Sequence, residues 1–499
     1  MYLPKPPSIE QKLLYLDSGR NKIYSVSFLS TAILITGMVF FVKTNPLFIP
    51  YTVFSIFTIL YLFCSYFIGV SGSGFDYKLH TKIMWKWLDR SSNTEIDVLL
   101  PVCGEPIEII ENTWQGVKDL RFAHEGILKV YVLDDSRSET IKALAEKYKF
   151  NYITRPDNTL KKAGNLRYAF TKTSAPYFIV FDADFIPRQD FILSMMPYFF
   201  EDNKVGIVQS PQFFEVAEGQ TLIQKGAGAI QELFYRLIQV NRDSFNGSIC
   251  VGSNAIYSRS HLEKFGGTAA IGYSEDVRTA YRLSKAGEKV KYIPLNLAMG
   301  TCPENWKQFF TQYYRWSMGS IDLLLSKEFW EKGLTKMQRI CYLSGMMYYL
   351  TTGLSVLFAA LPSIYLLIFK PEYIYWYNLA FSLPSLLFGL FYMKYWSKHP
   401  YNINVLRVRH VSFFAHLFAF KDLLFNTKEA WVPTGAVVKS SRYDSFCVMY
   451  IFISLFIPII TTILIGVRLY EGHSPFNYLL LIFFTAYNAY IALPVIDEL

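Results

Sequence analysis

The chain has 499 residues, 52% of them hydrophobic and 17% aromatic, and 49 Lys and Arg against 40 Asp and Glu give a net charge of +9. Its mean hydropathy is positive, too apolar for an ordinary soluble enzyme of this size, and the basic residues form no clustered face of the kind nucleic-acid binding needs. The six cysteines are scattered without a CxxC pair, which argues against a zinc site and a disulfide framework.

Taken in chain order, the first elements are two apolar runs, Tyr24–Val42 and Tyr51–Val70, close to the roughly 20 residues that span a bilayer. The first starts well inside the chain and is followed by no small-residue cleavage pattern, so it reads as a span and not as a signal peptide. The next stretch, "DYKLHTKIMWKWLDR", mixes apolar and basic residues at helical spacing and suits the membrane interface.

Residues 93–335 are of mixed polarity and read as one soluble domain. "EIDVLLPVCGEP" is a short apolar run ending in Pro and Gly, as a buried parallel strand does. "ILKVYVLDDS" repeats the design, stopped by Asp134 and Asp135. A helix over "SETIKALAEKYKF", a strand at "YITRP", a helix through "AGNLRYAFTKT" and a strand "YFIVFDADF" follow. This alternation predicts an α/β domain whose parallel sheet carries helices on both faces. Ligands bind beyond the carboxyl ends of such strands, which is where Asp134, Asp135, Asp182 and Asp184 fall.

From residue 336 on, four more apolar runs are expected to span: Ile340–Phe369, Tyr373–Met393, Phe446–Val467 and Phe476–Leu493. That makes about six helices, with Pro362 and Pro384 kinking theirs or marking the ends. "VLRVRHVSFFAHLFAFKDLLF" reads as a second interfacial segment. Tyr348, Tyr349, Tyr365, Trp376 and Tyr377 are candidates to line a path through the bundle, or to form aromatic belts. Lys5, Lys12, Arg20, Lys22, Arg407, Arg409, Lys421, Lys428 and Lys439 crowd one side. The opposite loops hold little beyond Lys43, Lys370 and Arg468, so both termini and the soluble domain are expected in the cytoplasm.

Beyond Asp134 and Asp135, the chemistry gathers in three places. "FDADF" sets two carboxylates two residues apart, a pattern that hard cations such as Mg2+ or Mn2+ favour, although a polar turn after a strand would also give it. In "GYSEDVRTAYRLSKAG", Ser274 is placed to cap a helix whose first turn holds Glu275 and Asp276. A carboxylate there is equally placed to act as a general base. "FFTQYYRWSMGS" puts Gln312, Arg315 and Trp316 together on a helix, a combination that fits a phosphate and a sugar held at once. A buried amphipathic helix would produce it too.

In order, the set Asp134-Asp135, Lys162 in "KKAGN", Asp182-Ala-Asp184, Ser274-Glu275-Asp276 and Gln312-Tyr-Tyr-Arg315-Trp316 resembles the signature of the processive family 2 glycosyltransferases. These are cellulose synthase, hyaluronan synthase and the plant cellulose-synthase-like synthases, in which D, DxD, (T/S)ED and Q(x)xRW follow one another. The resemblance implies a cytosolic GT-A domain, Rossmann-like with a mostly parallel sheet, fused to an α-helical transmembrane region. It implies that Asp134, Asp135, Lys162, Asp182, Gln312 and Arg315 meet the nucleotide sugar, and that Asp184 with Asp182 holds Mg2+ or Mn2+. Asp276 matches the catalytic base, with Glu275 beside it. Trp316 matches the acceptor platform, and Cys250 in "SICVGSN" falls at the acceptor-lining stretch, where Val251 intrudes. Trp431 and Thr434, in a segment near 396–444, fall where the family has its gating loop, with Pro433 interposed.

The expected activity is that of an inverting, membrane-embedded hexosyltransferase. Its partners would be a UDP-sugar, with UDP-glucose favoured, a growing polysaccharide in a transmembrane channel, and the bilayer, without nucleic acid. The product would be a β-glucan exported across the plasma membrane as an extracellular or capsular polymer. The segmentation is 1–92, with two spans and an interfacial helix; 93–335, the transferase domain; and 336–499, with four spans. No cyclic-dinucleotide sensor is expected after "LPVIDEL". A single-sugar transferase acting on a polyprenyl phosphate is the alternative, but it would not need Gln312, Arg315 and Trp316; a transporter that only binds a nucleotide sugar would not need Asp276.

Overall fold

The computed structural model describes residues 2–88, 94–123, 126–427 and 441–499. An ordered strap precedes the first span. Lys12 Nζ donates to Asp190 (2.6 Å) and Ser194 (3.2 Å), and the Gln11 carbonyl accepts from Asn296 (2.8 Å). Tyr15 Oη meets His399 Nε2 at 3.2 Å, and the Asp17 carbonyl accepts from Arg236 Nε at 2.7 Å.

Helices α1 (Arg20–Thr44) and α2 (Ile49–Ser71) follow. At 25 and 23 residues each is roughly 35 Å long, enough to cross a hydrocarbon core, and Phe28, Phe40 and Phe63 point outward from them. Arg20 donates to the carbonyls of Gly69 (2.9 Å) and Val70 (2.8 Å), so a cation closes the C-terminal end of α2. Helix α3 (Tyr77–Leu88) is two-faced as expected. His80 and Ile83 are buried, while Tyr77, Leu79, Trp85 and Leu88 are exposed.

Among the described residues ten strands build two sheets: β1 (Ile96–Val102), β2 (Leu128–Asp134), β3 (Asn151–Ile153), β4 (Tyr177–Val180), β5 (Phe185–Pro187), β6 (Val205–Gln209), β7 (Phe213–Phe214), β8 (Ala255–Ser258), β9 (Lys289–Tyr292) and β10 (Ala298–Gly300). The main sheet runs β3-β2-β1-β4-β8-β6-β9. It is parallel except at β8, which is antiparallel to both β4 and β6. A small sheet, β5-β10-β7, sits beside it. Ile96, Val98, Leu99, Leu100 and Val102 are all buried because helices cover both faces of β1. Trp114 is completely buried against this sheet, and truncating it to alanine would cost about 3–5 kcal/mol. Helices α4 (Lys161–Lys172) and α5 (Glu275–Lys285) enter from loops at the carboxyl edge of the sheet.

Helix α6 (Trp306–Leu325) leads to the second membrane block. Thr335 and Gln338 form a reciprocal cap at the start of α7 (Lys336–Phe358), and α8 (Leu361–Phe369) begins with Pro362 in its first turn. Helix α9 (Ile403–Leu424), α10 (Ser441–Tyr470) and α11 (Leu479–Ile496) complete the chain. Five helical stretches among the described residues are long and apolar enough to cross a membrane: Arg20–Thr44, Ile49–Ser71, Lys336–Phe369, Arg442–Tyr470 and Pro475–Ile496.

The expected sixth, Tyr373–Met393, is not one of them. Turns occupy its first residues, and a 3₁₀ turn at Ala380–Ser382, an α turn opened by Pro384 and a π turn at Phe388–Tyr392 follow. The helical part is short of a full crossing because Pro384 lacks an amide to continue the turn before it. That part packs on α1, where a side chain at Gly37 would meet Phe381 Cβ at 2.7 Å.

Helix α9 packs on α6 and α7. Val405, Val408, Val411, Phe414, His416 and Phe418 are buried along it. Gly353 of α7 permits the crossing, since a Cβ there would come within 2.8 Å of the Leu417 backbone nitrogen.

Candidate active site

The acidic residues that end the strands do converge, and each has a distinct setting. Asp134, at the tip of β2, is fully buried and accepts four hydrogen bonds. They come from Ser136 N (2.7 Å), Ser136 Oγ (2.5 Å), Ser138 N (2.8 Å) and Tyr152 Oη (2.8 Å). Asp135 is gripped by both prongs of Arg155, at 2.7 Å each. The same guanidinium donates to the carbonyls of Thr159 (2.6 Å) and Lys161 (2.8 Å), so it shapes the turn that launches α4. In that turn Leu160 and Lys161 have φ of 58° and 50°. Asp135, through Arg155, thus braces the loop that presents Lys162.

Lys162 donates to the Asp182 carboxylate and to the Gly252 carbonyl (2.9 Å). Burial opposes its charge, but Asp182 and then Glu275 more than offset this, and its pKa is pushed up. Asp182 is fixed at its backbone, where its N–H donates to Ser253 Oγ at 2.9 Å. Asp184 is pushed up to about 7, by burial first and by neighbouring Asp182 next. Glu105, on the loop after β1, accepts from Cys103 N (2.6 Å), and burial raises it, with Asp182 and Asp134 adding repulsion. Among the described residues no three acids, histidines or cysteines are grouped to hold a metal ion on their own.

Ser274 does not cap α5: its backbone is left-handed, with φ of 49°, and its side chain makes no capping bond. The left-handed turn instead delivers Glu275 and Asp276 to the same centre. Asp276 is pushed up to about 7 by burial and then by Glu275, against the opposing pull of Val277 N–H and Lys162. Gly252, with φ of 77°, lies against it; a Cβ there would come within 2.8 Å of Asp276 Oδ2. Only a glycine accepts both that backbone and that approach.

Helix α6 brings the last three residues. At 100° per residue, Gln312, Arg315 and Trp316 share one face. Burial lowers the pKa of Arg315, while Glu275, Asp182 and Asp276 raise it in turn, which sets its guanidinium among those carboxylates. Trp316 packs at 4.9 Å from the Tyr313 ring. From there ring contacts run on through His416 (6.2 Å from Tyr313), Tyr349 (4.9 Å), Tyr348 (5.3 Å) and Tyr61 (6.3 Å), into α7 and α2.

The remaining residues fall elsewhere. Cys250 is turned into the core, its thiol 3.1 Å from Tyr257 Oη, and not toward open space. Tyr365 stacks on Phe48 at 4.8 Å, and Trp376 and Tyr377 are about half exposed, away from the ring series. Trp431 and Thr434 lie outside the described residues. Arg155, Glu105, Gly252 and Gly319 escaped the reading of the sequence. A conformational signal existed only for the glycines, which stand beside the motifs.

The arrangement is that of the GT-A glycosyltransferase fold, joined to helices long and apolar enough to cross a membrane. Residues 97–266 match the model of glycosyl transferase family 2 and residues 267–375 that of cellulose synthase. It is 31% identical over 258 residues to a cellulose synthase catalytic subunit [UDP-forming] of Xanthomonas axonopodis pv. citri, covering 51% of this chain and 35% of that one. The corresponding subunit of Pseudomonas fluorescens is 30% identical over 288 residues, covering 57% and 39%. The chain therefore spans less than half the length of these curated relatives. Among solved structures, a mannosyltransferase from Pyrobaculum calidifontis in complex with GDP-Man and Mn2+ superposes with a TM-score of 0.50 at 12% identity, covering 74% of this chain and all of that one.

Proposed function

We propose that the chain is an inverting, processive β-glycosyltransferase that polymerises a hexose, with glucose from UDP-glucose favoured, and passes the polymer across the plasma membrane. One observation carries the reading. Two cations, Lys162 and Arg315, are set among Asp182, Glu275 and Asp276, at the edge of a sheet where nucleotide ligands bind. The similarity to UDP-forming cellulose synthase subunits supports the donor class.

Asp276 takes the proton of the attacking hydroxyl, a contribution of about 10²–10⁴-fold. A base opposite the leaving group gives single displacement, hence a β-linked product from an α-linked donor. Arg315 offers two parallel donors to the departing diphosphate, and Lys162 a third positive group. Asp182 and Asp184 would hold a divalent cation, which supplies Lewis-acid stabilisation when bound. The crowding that raises Asp184 is relieved by such a charge. Two protein carboxylates would leave the other coordination positions to phosphate and water, as is usual for Mg2+; the Mn2+ complex of the same fold supports a divalent cation.

Trp316 offers a flat face to the acceptor sugar. The series of rings from Trp316 through Tyr349 to Tyr61 supports a route for the polymer between α7, α9 and α2. With 93–335 as the cytosolic unit and both termini inside, the product leaves outward.

Purified protein in detergent or vesicles, given Mn2+ or Mg2+ and single UDP- and GDP-sugars, tests this by nucleotide release and size-retained product. High-mass, β-linked glucan from UDP-glucose alone is the expected result. Nucleotide release with only small or lipid-soluble product would replace this function by single transfer to a lipid carrier.

A further inference from the structure

Behind the catalytic face of α6 three helices meet at one carboxylate. Asp422, in the last turn of α9, is 2% exposed. It accepts from Tyr314 Oη (2.8 Å), Thr427 Oγ1 (2.9 Å) and Arg442 Nε (3.0 Å), and Lys421 Nζ stands 3.3 Å away. The Arg442 guanidinium lies 5.2 Å from the centre of the Tyr314 ring and also donates to the Thr427 carbonyl, at 2.5 Å. Tyr314 precedes Arg315 by one residue and Trp316 by two, so at about 100° per residue it points about 100° round α6 from Arg315 and about 160° from Trp316.

A helix can roll about its axis, and apolar contacts, being non-directional, do not by themselves specify one rotation. A buried, charge-assisted hydrogen bond is directional, and a buried carboxylate with its cation removed is costly. Phe310, which abuts Phe418 (5.7 Å) and Phe446 (4.2 Å), holds α6 in place but does not fix its rotation.

We infer that Asp422 is a positioning residue for glycosyl transfer: through Tyr314 it sets the rotation of α6, and so the aim of Arg315 and Trp316, and through Arg442 it ties that setting to the first turn of α10. The inference rests on the transferase reading given above. Asp422 touches neither donor nor acceptor, and nothing in the four-motif pattern points to it.

The test uses full-length protein with Asp422→Asn, Asp422→Ala, Tyr314→Phe and the Asp422→Asn/Tyr314→Phe double variant. The readouts are UDP affinity, donor KM and kcat, and melting temperature. Asparagine keeps one acceptor oxygen, for Tyr314 or for Thr427 but not for both, and loses the charge opposite Arg442. The expected result is a fall in kcat/KM of about 10-fold for Asp422→Asn and up to about 10²-fold for Asp422→Ala, the range a misplacement near 1 Å produces. UDP should also bind more weakly, and the double variant should fall short of the product of the singles. A merely structural carboxylate would lower the melting temperature and the active fraction with KM and UDP affinity unmoved, and that outcome overturns the inference. So does strict multiplicativity of the two single effects. If Asp422→Ala does not fold, Asp422→Asn and Tyr314→Phe still decide. Wild-type protein that transfers from no donor sinks the function proposed above instead, and UDP affinity alone then judges Asp422.

Discussion

Gly319 of α6 and Ser274 at the head of α5 are in direct apposition: a Cβ built on the glycine would lie 2.5 Å from the serine Cβ. The contact sets the distance between the helix bearing Arg315 and the turn bearing Asp276. Gly319→Ala is expected to force the two apart and to lower kcat by up to about 10²-fold, with the protein still folded. Steady-state kinetics alongside a melting curve check this, and an unchanged kcat would show that the turn gives way harmlessly.

Asp276→Asn should remove about 10²–10⁴-fold of the rate while UDP still binds. In the wild-type enzyme the base works only when ionised, and its carboxyl is pushed up to about 7. Turnover at low donor should therefore rise as pH climbs from 6 to 8. A rate profile flat over that interval counts against Asp276 as the base.

The same displacement has a consequence for stability. Asp184 and Asp276, both near 7 against 3.8 unfolded, hold protons in the folded state that the unfolded chain has already released. Their contribution is present at low pH and is lost as pH rises toward 7. Metal-free protein should melt at a lower temperature at pH 8 than at pH 6. Mn2+ should restore more at pH 8, since binding requires the ionised carboxylate. Asp184→Asn should abolish that Mn2+ effect, which differential scanning fluorimetry reads without any turnover.

Arg155 is 6% exposed and Asp135 7%, so Arg155→Ala leaves a buried carboxylate without its cation. A loss of about 3–5 kcal/mol is expected, seen as a lower melting temperature, together with weaker UDP binding as the loop before Lys162 relaxes. Asp135→Asn should be milder, because the amide still accepts from one prong. Equal effects of the two would mean that the charge is irrelevant.

Tyr349→Ala and Tyr61→Ala address the route of the polymer. Neither ring reaches the carboxylates by a hydrogen bond, so the first transfer should persist while product length falls. Chromatography of the released polymer measures it; full-length product from both variants would place the route elsewhere.

Much of this was legible in the chain. The strands ending in Asp134 and in "FDADF" are short apolar runs bounded by acids and prolines, and buried parallel strands have few other ways to look. What escaped had a physical reason. β8 is as apolar as its parallel neighbours, so its reversed direction leaves no mark in composition. Tyr373–Met393 is apolar enough to span, but hydropathy says nothing of a backbone interrupted by Pro384 and a π turn. Helix α9 carries arginines and a lysine spaced like a surface helix, and its burial against α6 and α7 comes from partners far off in the sequence. Arg155 and Asp422 stand outside every motif, and their roles come from the partners that folding brings to them.

The strap ahead of α1 bears on how the protein is made. Tyr15 finds His399 across 384 residues of sequence, and Asp17 finds Arg236 across 219. At about 5–20 residues per second, the strap waits tens of seconds after its own synthesis for its last partner. The catalytic unit therefore completes its closure only after α7 and α8 have been delivered to the membrane, and insertion precedes the finished fold.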